Sequence, residues 1–416
     1  MKNSFLDAKE QYAAFGVDVE TAIKLADNTP ISLHCWQGDD VGGFEGKDTH
    51  LSGGIEVTGN YPYKARSLDE LRTDLEKALS LIPGTNKVNV HANYIDNGGK
   101  YVDRNEIEVS HFASWADFAV HNKIGLDFNS TFFSHEKSGN YTLSNSDKGI
   151  RDFWIDHAKR ARKISEYFGS KTGQTCITNL WIHDGEKEIP IDTLSPRMRL
   201  KDSLDQIFSE KLNPSFHKDA VESKLFGIGS EGYVTGSNEF YVAYCMSNPD
   251  VMPTLDAGHF HPTEVISAKI SALLPFMPSL LLHVSRPVRW DSDHVVLFDD
   301  ETRQIMREVV RADALNRVYI ATDYFDASIN RLAAWTVGAR NTRKALLAAL
   351  LEPTVYLKEL EQSGDLGGRL LMSGEAASLP FNTVWEQYCE QKNIPTGKAW
   401  LEDIKDYEKS VLSKRV

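Results

Sequence analysis

Short apolar runs alternate with helical patterns along this chain, and each run ends on a residue that can bind a metal or a hydroxyl group. The runs lead into His34, His91, Asp127, Trp181, Glu222, Asp256, His283 and Asp323. The clearest are Met252–Leu255, Leu280–Leu282 and Val318–Ile320; the others are Ile31–Leu33, Val88–Val90, Ile124–Leu126, Thr175–Leu180 and Ala220–Val221. Short apolar runs bounded by turn signals read as buried strands.

Between the runs, apolar residues recur at helical spacing. Leu68, Leu71, Leu75, Leu79 and Ile82 follow a Ser67-x-x-Glu70 capping box and stop at Pro83-Gly84. Ile150 to Phe168 predicts a long helix with Gly169 just past its end. Pro262 is expected at the first position of a helix carrying Val265, Ile266, Ile270 and Leu273. Ile329 to Leu351 predicts another helix, ending at Pro353. Two short helices over residues 5–27, broken at Gly16, are expected outside the main core. A glycine-rich, aromatic stretch runs from Trp36 to Arg66, and loops that long are usually functional or mobile.

Alternating strands and helices with polar strand ends predict an α/β fold, a (β/α)8 TIM barrel with additional N-terminal and C-terminal helices. Residues 1–350 are expected to form the catalytic barrel with its short N-terminal helices. Residues 351–416 are expected to form a helical extension packed on the barrel or on a neighbouring subunit. An open doubly wound sheet is the alternative, but it rarely enlists the tip of every strand.

Composition narrows the class. With 46 basic against 59 acidic residues the net charge is −13, which argues against a nucleic-acid groove. Cys35, Cys176, Cys245 and Cys389 form no CxxC pair and read as the reduced thiols of a cytoplasmic protein. The start of the chain carries charges where a signal peptide needs an apolar stretch, and no apolar run reaches membrane-span length.

The chemistry concentrates between residues 256 and 323. Glu222, Asp256, His283 and Asp323 end consecutive strands, so all four can meet at one point. His259 lies on the loop past Asp256, and Asp291 and Asp293 form an Asp-x-Asp pair that could clamp a second cation. Carboxylates with imidazole suit a hard or borderline cation such as Mn²⁺, and Asp256 or Glu222 could bridge two such ions. The plain alternative is ion pairing with Arg286, Arg289 and Lys224. Seven such residues spread over four consecutive units argue for cations instead. His34 and His91 fall at strand tips and could bond hydroxyl groups of a small polar substrate or be satisfied core histidines. Trp36, Trp181, Phe132 and Phe133 could supply an apolar wall. His261 is expected to help cap the Pro262 helix, and His135 and His157 read as structural.

Longer stretches carry a family resemblance: His34-Cys-Trp-Gln-Gly-Asp-Asp-Val41, Gly59-Asn-Tyr-Pro62, Val221-Glu-Ser-Lys-Leu-Phe-Gly-Ile-Gly229, Gly236-Ser-Asn-Glu-Phe-Tyr241, Leu255-Asp-Ala-Gly-His-Phe-His-Pro-Thr-Glu264, Leu282-His-Val-Ser-Arg-Pro-Val-Arg-Trp-Asp-Ser-Asp-His294 and Asp326-Ala-Ser-Ile-Asn-Arg331. Over essentially its whole length the chain resembles the L-rhamnose isomerases. That resemblance implies a cytoplasmic homotetramer of barrels interconverting L-rhamnose and L-rhamnulose in rhamnose catabolism, with two divalent ions per subunit. Mn²⁺ is the implied ion, and Co²⁺ or Mg²⁺ are possible substitutes. By analogy His259, Asp291 and Asp293 hold the catalytic ion; Glu222, Asp256, His283 and Asp323 hold the structural ion; and Lys224 faces the substrate oxygens. Lys224, Asp291 and His259 are the candidate catalytic residues, and His91, Trp181, Lys224, Phe133 and His34 the candidate substrate contacts.

The expected reaction is a 1,2-hydride shift with hydroxide or Asp291 shuttling the O1/O2 proton; an enediol formed by a carboxylate base is the competing route. Two other functions fit a two-cation barrel: a phosphodiesterase-type hydrolase, and a non-catalytic sugar-binding protein.

Overall fold

The computed structural model describes residues 2–38, 41–46, 59–224, 232–289 and 291–415. Eight parallel strands close into a barrel in which each pairs with its sequence neighbours and the last with the first. They are β1 (Ile31–His34), β2 (Asn86–His91), β3 (Gly125–Asn129), β4 (Cys176–Trp181), β5 (His217–Glu222), β6 (Val251–Asp256), β7 (Leu280–Val284) and β8 (Val318–Thr322). Strand side chains alternate between two faces. Ile177, Ala220, Met252, Leu281 and Ala321 face the barrel interior and pack into one small apolar layer. Their neighbours face outward onto the helices and build the larger core.

Several elements differ from the sequence expectation, each for a local reason. The long helix runs Lys148–Thr172, and its left-handed cap is Gly173 rather than Gly169. Gly169 is needed inside the helix because a Cβ there would meet the Phe216 carbonyl oxygen at 1.9 Å. Pro262 lies in a turn, and the helix starts at Ser267. His261 therefore caps no helix; its Nδ1 bonds Thr263. At Ser67 half of the capping box forms: Ser67 Oγ accepts from Glu70 N, while the Glu70 carboxylate takes Arg66 N instead. An antiparallel ribbon that the sequence pattern does not signal pairs Gly185–Glu186 with Tyr233–Val234.

The terminal helices clasp one side of the barrel. Ala8, Tyr12, Ala22 and Ile23 pack with Val384, Trp385 and Tyr388 against Leu347 of the helix Arg331–Leu350. At the far end Arg415 and Tyr407 both bond the fully buried Asp74. No helix among the described residues is long and apolar enough to cross a membrane.

Candidate metal centre at the barrel mouth

Strand register brings the carboxylates together. Glu222 is level with Thr254, Asp256 with His283, and His283 with Ala321, two residues before Asp323. Each step around the barrel thus delivers one polar side chain to the same end. One ligand atom from each of Glu222, Asp256, His283 and Asp323 lies within 4.8 Å of the others, and the same holds for Asp256, His259 and Asp291. Asp256 belongs to both groups.

The second group depends on two loops. After β6, Gly258 N donates to Asp256 Oδ1 at 2.6 Å. A Cβ at Gly258 would meet Asp291 Oδ1 at 2.6 Å and Asp293 Oδ1 at 3.4 Å, so the absent side chain lets the two aspartates close in. After β7, Arg286 bridges His294 and pinches the loop carrying both aspartates. Asp293 adopts a positive φ of 40°, and its carbonyl accepts from Phe325 N at 3.0 Å, tying that loop to the one after β8.

Ordinary ion pairing does not account for this assembly. Arg286 donates its Nε to the Val295 carbonyl, Arg289 is exposed, and among the described residues Lys224 forms its ion pair with Asp291. His283 Nδ1 faces Glu222 Oε2 at 3.3 Å, Asp323 Oδ2 at 3.4 Å and Asp256 Oδ2 at 3.7 Å. One N–H cannot serve three carboxylates. Glu222 Oε1, Asp256 Oδ2, His259 Nδ1, both His283 ring nitrogens, Asp291 Oδ1 and Asp293 Oδ1 are buried without a hydrogen bond. Such groups are costly unless something compensates them, and a donor set of carboxylates with imidazole fits a divalent cation.

Proton affinities carry the same message. Burial pushes the Asp256 carboxyl up to about 8. Burial pulls His259 down, yet the Asp256 and Asp291 charges more than reverse it and hold it near 10. Burial and then Asp291 raise Asp293 well above the carboxylate range. His283 also ends well raised, burial being outweighed by Glu222 and Asp323. Against burial, the two histidines hold Glu222 well below the carboxylate range. Without a cation, Asp256, Asp293, His259 and His283 are all pushed towards their protonated forms.

Across the mouth stands an aromatic wall. Trp36, His91, Phe133 and Trp181 follow one another edge to face, with centroids 4.7, 5.4 and 6.1 Å apart, and Lys224 Nζ lies 5.5 Å over the Trp181 ring. Burial pulls His91 down to about 3, so the ring is neutral, with Nδ1 held by Thr131 Oγ1 at 2.8 Å. His34 sits deeper, with Nδ1 on Thr322 and Nε2 on Gln37. Phe132 turns away, against Trp154 and His157. Asp127 is not a tip residue. β3 continues to Asn129, which is level with His91, and Asp127 is mid-strand, paired with Lys87. Asp39, Asp40 and Trp290 lie outside the described residues.

Sequence reasoning overlooked Asn179 and Thr254. Asn179 Nδ2 donates to Glu222 Oε2 at 2.5 Å, and Thr254 Oγ1 donates to Asn179 Oδ1 at 2.7 Å. The signal was available: each lies two residues before a strand end, Trp181 or Asp256, and so shares its inward face.

Comparison with known proteins fits this centre. The family model for L-rhamnose isomerase (RhaA) matches residues 1–415. The chain belongs to the L-rhamnose isomerase family. Among relatives of that name, the Mannheimia succiniciproducens protein is 58% identical over 98% of both chains. Those of Escherichia coli SE11 and Citrobacter koseri are 56% identical over 98% of this chain and 97% of theirs. As a member of the L-rhamnose isomerase family, the chain has its acids and histidines gathered where such barrels place their active sites, at the C-terminal strand ends.

Proposed function

We propose that this protein interconverts L-rhamnose and L-rhamnulose with two divalent ions per subunit, Mn²⁺ by preference. The observation that carries the reading is the pair of donor groups that share Asp256 at the barrel mouth, in a chain of this family. Glu222, Asp256, His283 and Asp323 would hold one ion, and His259, Asp291 and Asp293 the other. Bound there, the ions would chelate sugar oxygens and act as Lewis acids on the carbonyl.

The chain's own residues then divide the remaining work. Lys224 is held cationic by Asp291 and supplies positive charge beside the oxygens on which negative charge develops. The C2–H electron pair moves with its hydrogen to C1, which becomes the CH₂OH carbon, while O2 becomes the carbonyl oxygen. Asp291 carries the proton from O2 to O1. Trp181 and Phe133 offer an apolar face to the 6-methyl group, and neutral His91 offers a ring nitrogen to a hydroxyl. His34 backs the wall from below.

A homotetramer in the cytoplasm completes the proposal. The helix Leu366–Ala377 buries none of its residues within this chain and leaves Leu366, Leu370 and Leu371 exposed, which supports contact with another copy. The function is tested by scoring a panel of aldoses for ketose formation, first with EDTA and then with Mn²⁺, Co²⁺ or Mg²⁺ restored. L-Rhamnose turnover that stops with EDTA and returns with Mn²⁺ is expected. No ketose from any aldose under Mn²⁺ would leave a sugar-binding protein, and phosphodiester cleavage a hydrolase.

A further inference from the structure

Three carboxylates in the four-residue group each have one oxygen already engaged by an N–H. Asn179 Nδ2 holds Glu222 Oε2 at 2.5 Å, Trp36 Nε1 holds Asp323 Oδ1 at 3.0 Å, and Gly258 N holds Asp256 Oδ1 at 2.6 Å. The other oxygen of Asp256 accepts no hydrogen bond, while Glu222 Oε1 faces His259 Nδ1 at 3.2 Å and Asp323 Oδ2 faces His283 Nδ1 at 3.4 Å.

These donors are themselves fixed. Asn179 lies inside the barrel, level with Ala220, and Thr254 Oγ1 on the Asn179 Oδ1 sets which way the amide points. Trp36 is almost wholly buried, with its ring between His34 and His91 at 5.3 and 4.7 Å. Neither donor is itself in a candidate ligand group.

An N–H on one oxygen claims a lone pair and fixes the plane of the carboxylate. Each acid is left presenting a single oxygen to a cation. Calcium takes about six to eight oxygens and often uses both oxygens of a carboxylate, whereas Mg²⁺ demands near-octahedral geometry at shorter distances; octahedral oxygen sites also suit Mn²⁺. We infer that Asn179, oriented by Thr254, and Trp36 are positioning residues that keep Glu222 and Asp323 one-oxygen donors. They thereby make the centre prefer a small six-coordinate cation to Ca²⁺. This rests on the metal centre proposed above and goes beyond it to the origin of its selectivity.

The test uses full-length protein freed of metal with EDTA and reads binding rather than turnover. Mn²⁺ is titrated and followed by the electron paramagnetic resonance of the free ion, then displaced with Ca²⁺. Thermal unfolding without metal confirms that each variant is folded. Outer partners of metal ligands typically govern affinity by about 10- to 100-fold, and a loss of that size in the Mn²⁺/Ca²⁺ preference is expected for Thr254→Val and Trp36→Phe. Thr254→Ser keeps the hydroxyl and should retain the wild-type preference. Asn179→Leu should behave like Thr254→Val, and the Thr254 pair decides the matter if Asn179→Leu does not fold. An unchanged ratio in Thr254→Val and Trp36→Phe, even with weaker binding of both ions, overturns the inference. A wild type that binds no Mn²⁺ overturns the metal centre itself, which is a distinguishable result.

Discussion

Lys224 Nζ donates to Asp291 Oδ2, joining the segment after β5 to the loop after β7. Lys224 is 9% exposed, and its main-chain N–H bonds the Gly236 carbonyl at 3.1 Å. Burial favours the neutral amine, but Asp291 outweighs it and the pKa rises above the ordinary lysine value. A raised lysine stays protonated throughout the neutral range, so Lys224 acts as a fixed cation and not as a base. Lys224→Met should lower kcat by about 100-fold or more, the size of effect found on removing one charge-stabilising donor. The loss should be equally large at pH 6.5 and pH 9. A rise in KM with kcat unchanged would mean that Lys224 only binds the sugar.

The enediol route needs a carboxylate free to take a carbon-bound proton. A hydride shift needs no such base. L-Rhamnose converted in D₂O should give L-rhamnulose without solvent deuterium at C1, as read by NMR. Substantial label there would replace the hydride shift with proton transfer.

The sequence was most legible where burial and alternation coincide. All eight strand positions could be read, because β1 to β8 are apolar on the face that meets the helices. Boundaries suffered where polar residues sit inside a strand. β5 begins with His217, Lys218 and Asp219, three strand residues that the apolar pattern hides; His217 and Asp219 are satisfied by Ser165 and Arg162 of the long helix. Asp127 misled for the same reason, since its partner Lys87 is 40 positions away. Partners distant in sequence are invisible until the barrel closes. That is also why Asn179 and Trp36 could not be linked to Glu222 and Asp323 beforehand.

Lys87 and Asp127 make a prediction of the opposite kind. The pair is buried, with Lys87 also bonding the Thr175 carbonyl at 2.8 Å and Asp127 accepting from Ile177 N at 2.8 Å. It lies within the barrel wall, short of the strand tips. Asp127→Ala leaves a buried ammonium without its counter-charge, which costs about 3–5 kcal/mol. Chemical denaturation should show a loss of that order, while kcat of the folded fraction stays at the wild-type value. A kcat loss of tenfold or more in folded Asp127→Ala would return Asp127 to the active site.

The last prediction concerns metal, pH and stability together. In the metal-free protein Asp256 keeps its proton up to about pH 8, whereas in the unfolded chain it loses it near 3.8. His259 keeps its proton up to about pH 10, against 6.5 unfolded. Between pH 6.5 and 8 the folded state therefore holds more protons than the unfolded state at both positions. Stability falls with rising pH wherever the native state binds the extra protons. For His259 the contribution is complete below 6.5 and is lost as pH climbs through 10. For Asp256 the ionisation penalty grows from 3.8 until the group ionises near 8. Glu222 and Asp323 have lowered values; their contribution is lost only in acid, outside this window. A divalent ion replaces these protons and is bound more tightly as they leave. The gap in Tm between Mn²⁺-loaded and EDTA-treated protein should thus widen from pH 6.5 to pH 9. His259→Ala should narrow the widening and abolish turnover while the barrel stays folded by circular dichroism. A gap that is constant or shrinks with pH would show that these buried acids and histidines do not exchange protons for a cation.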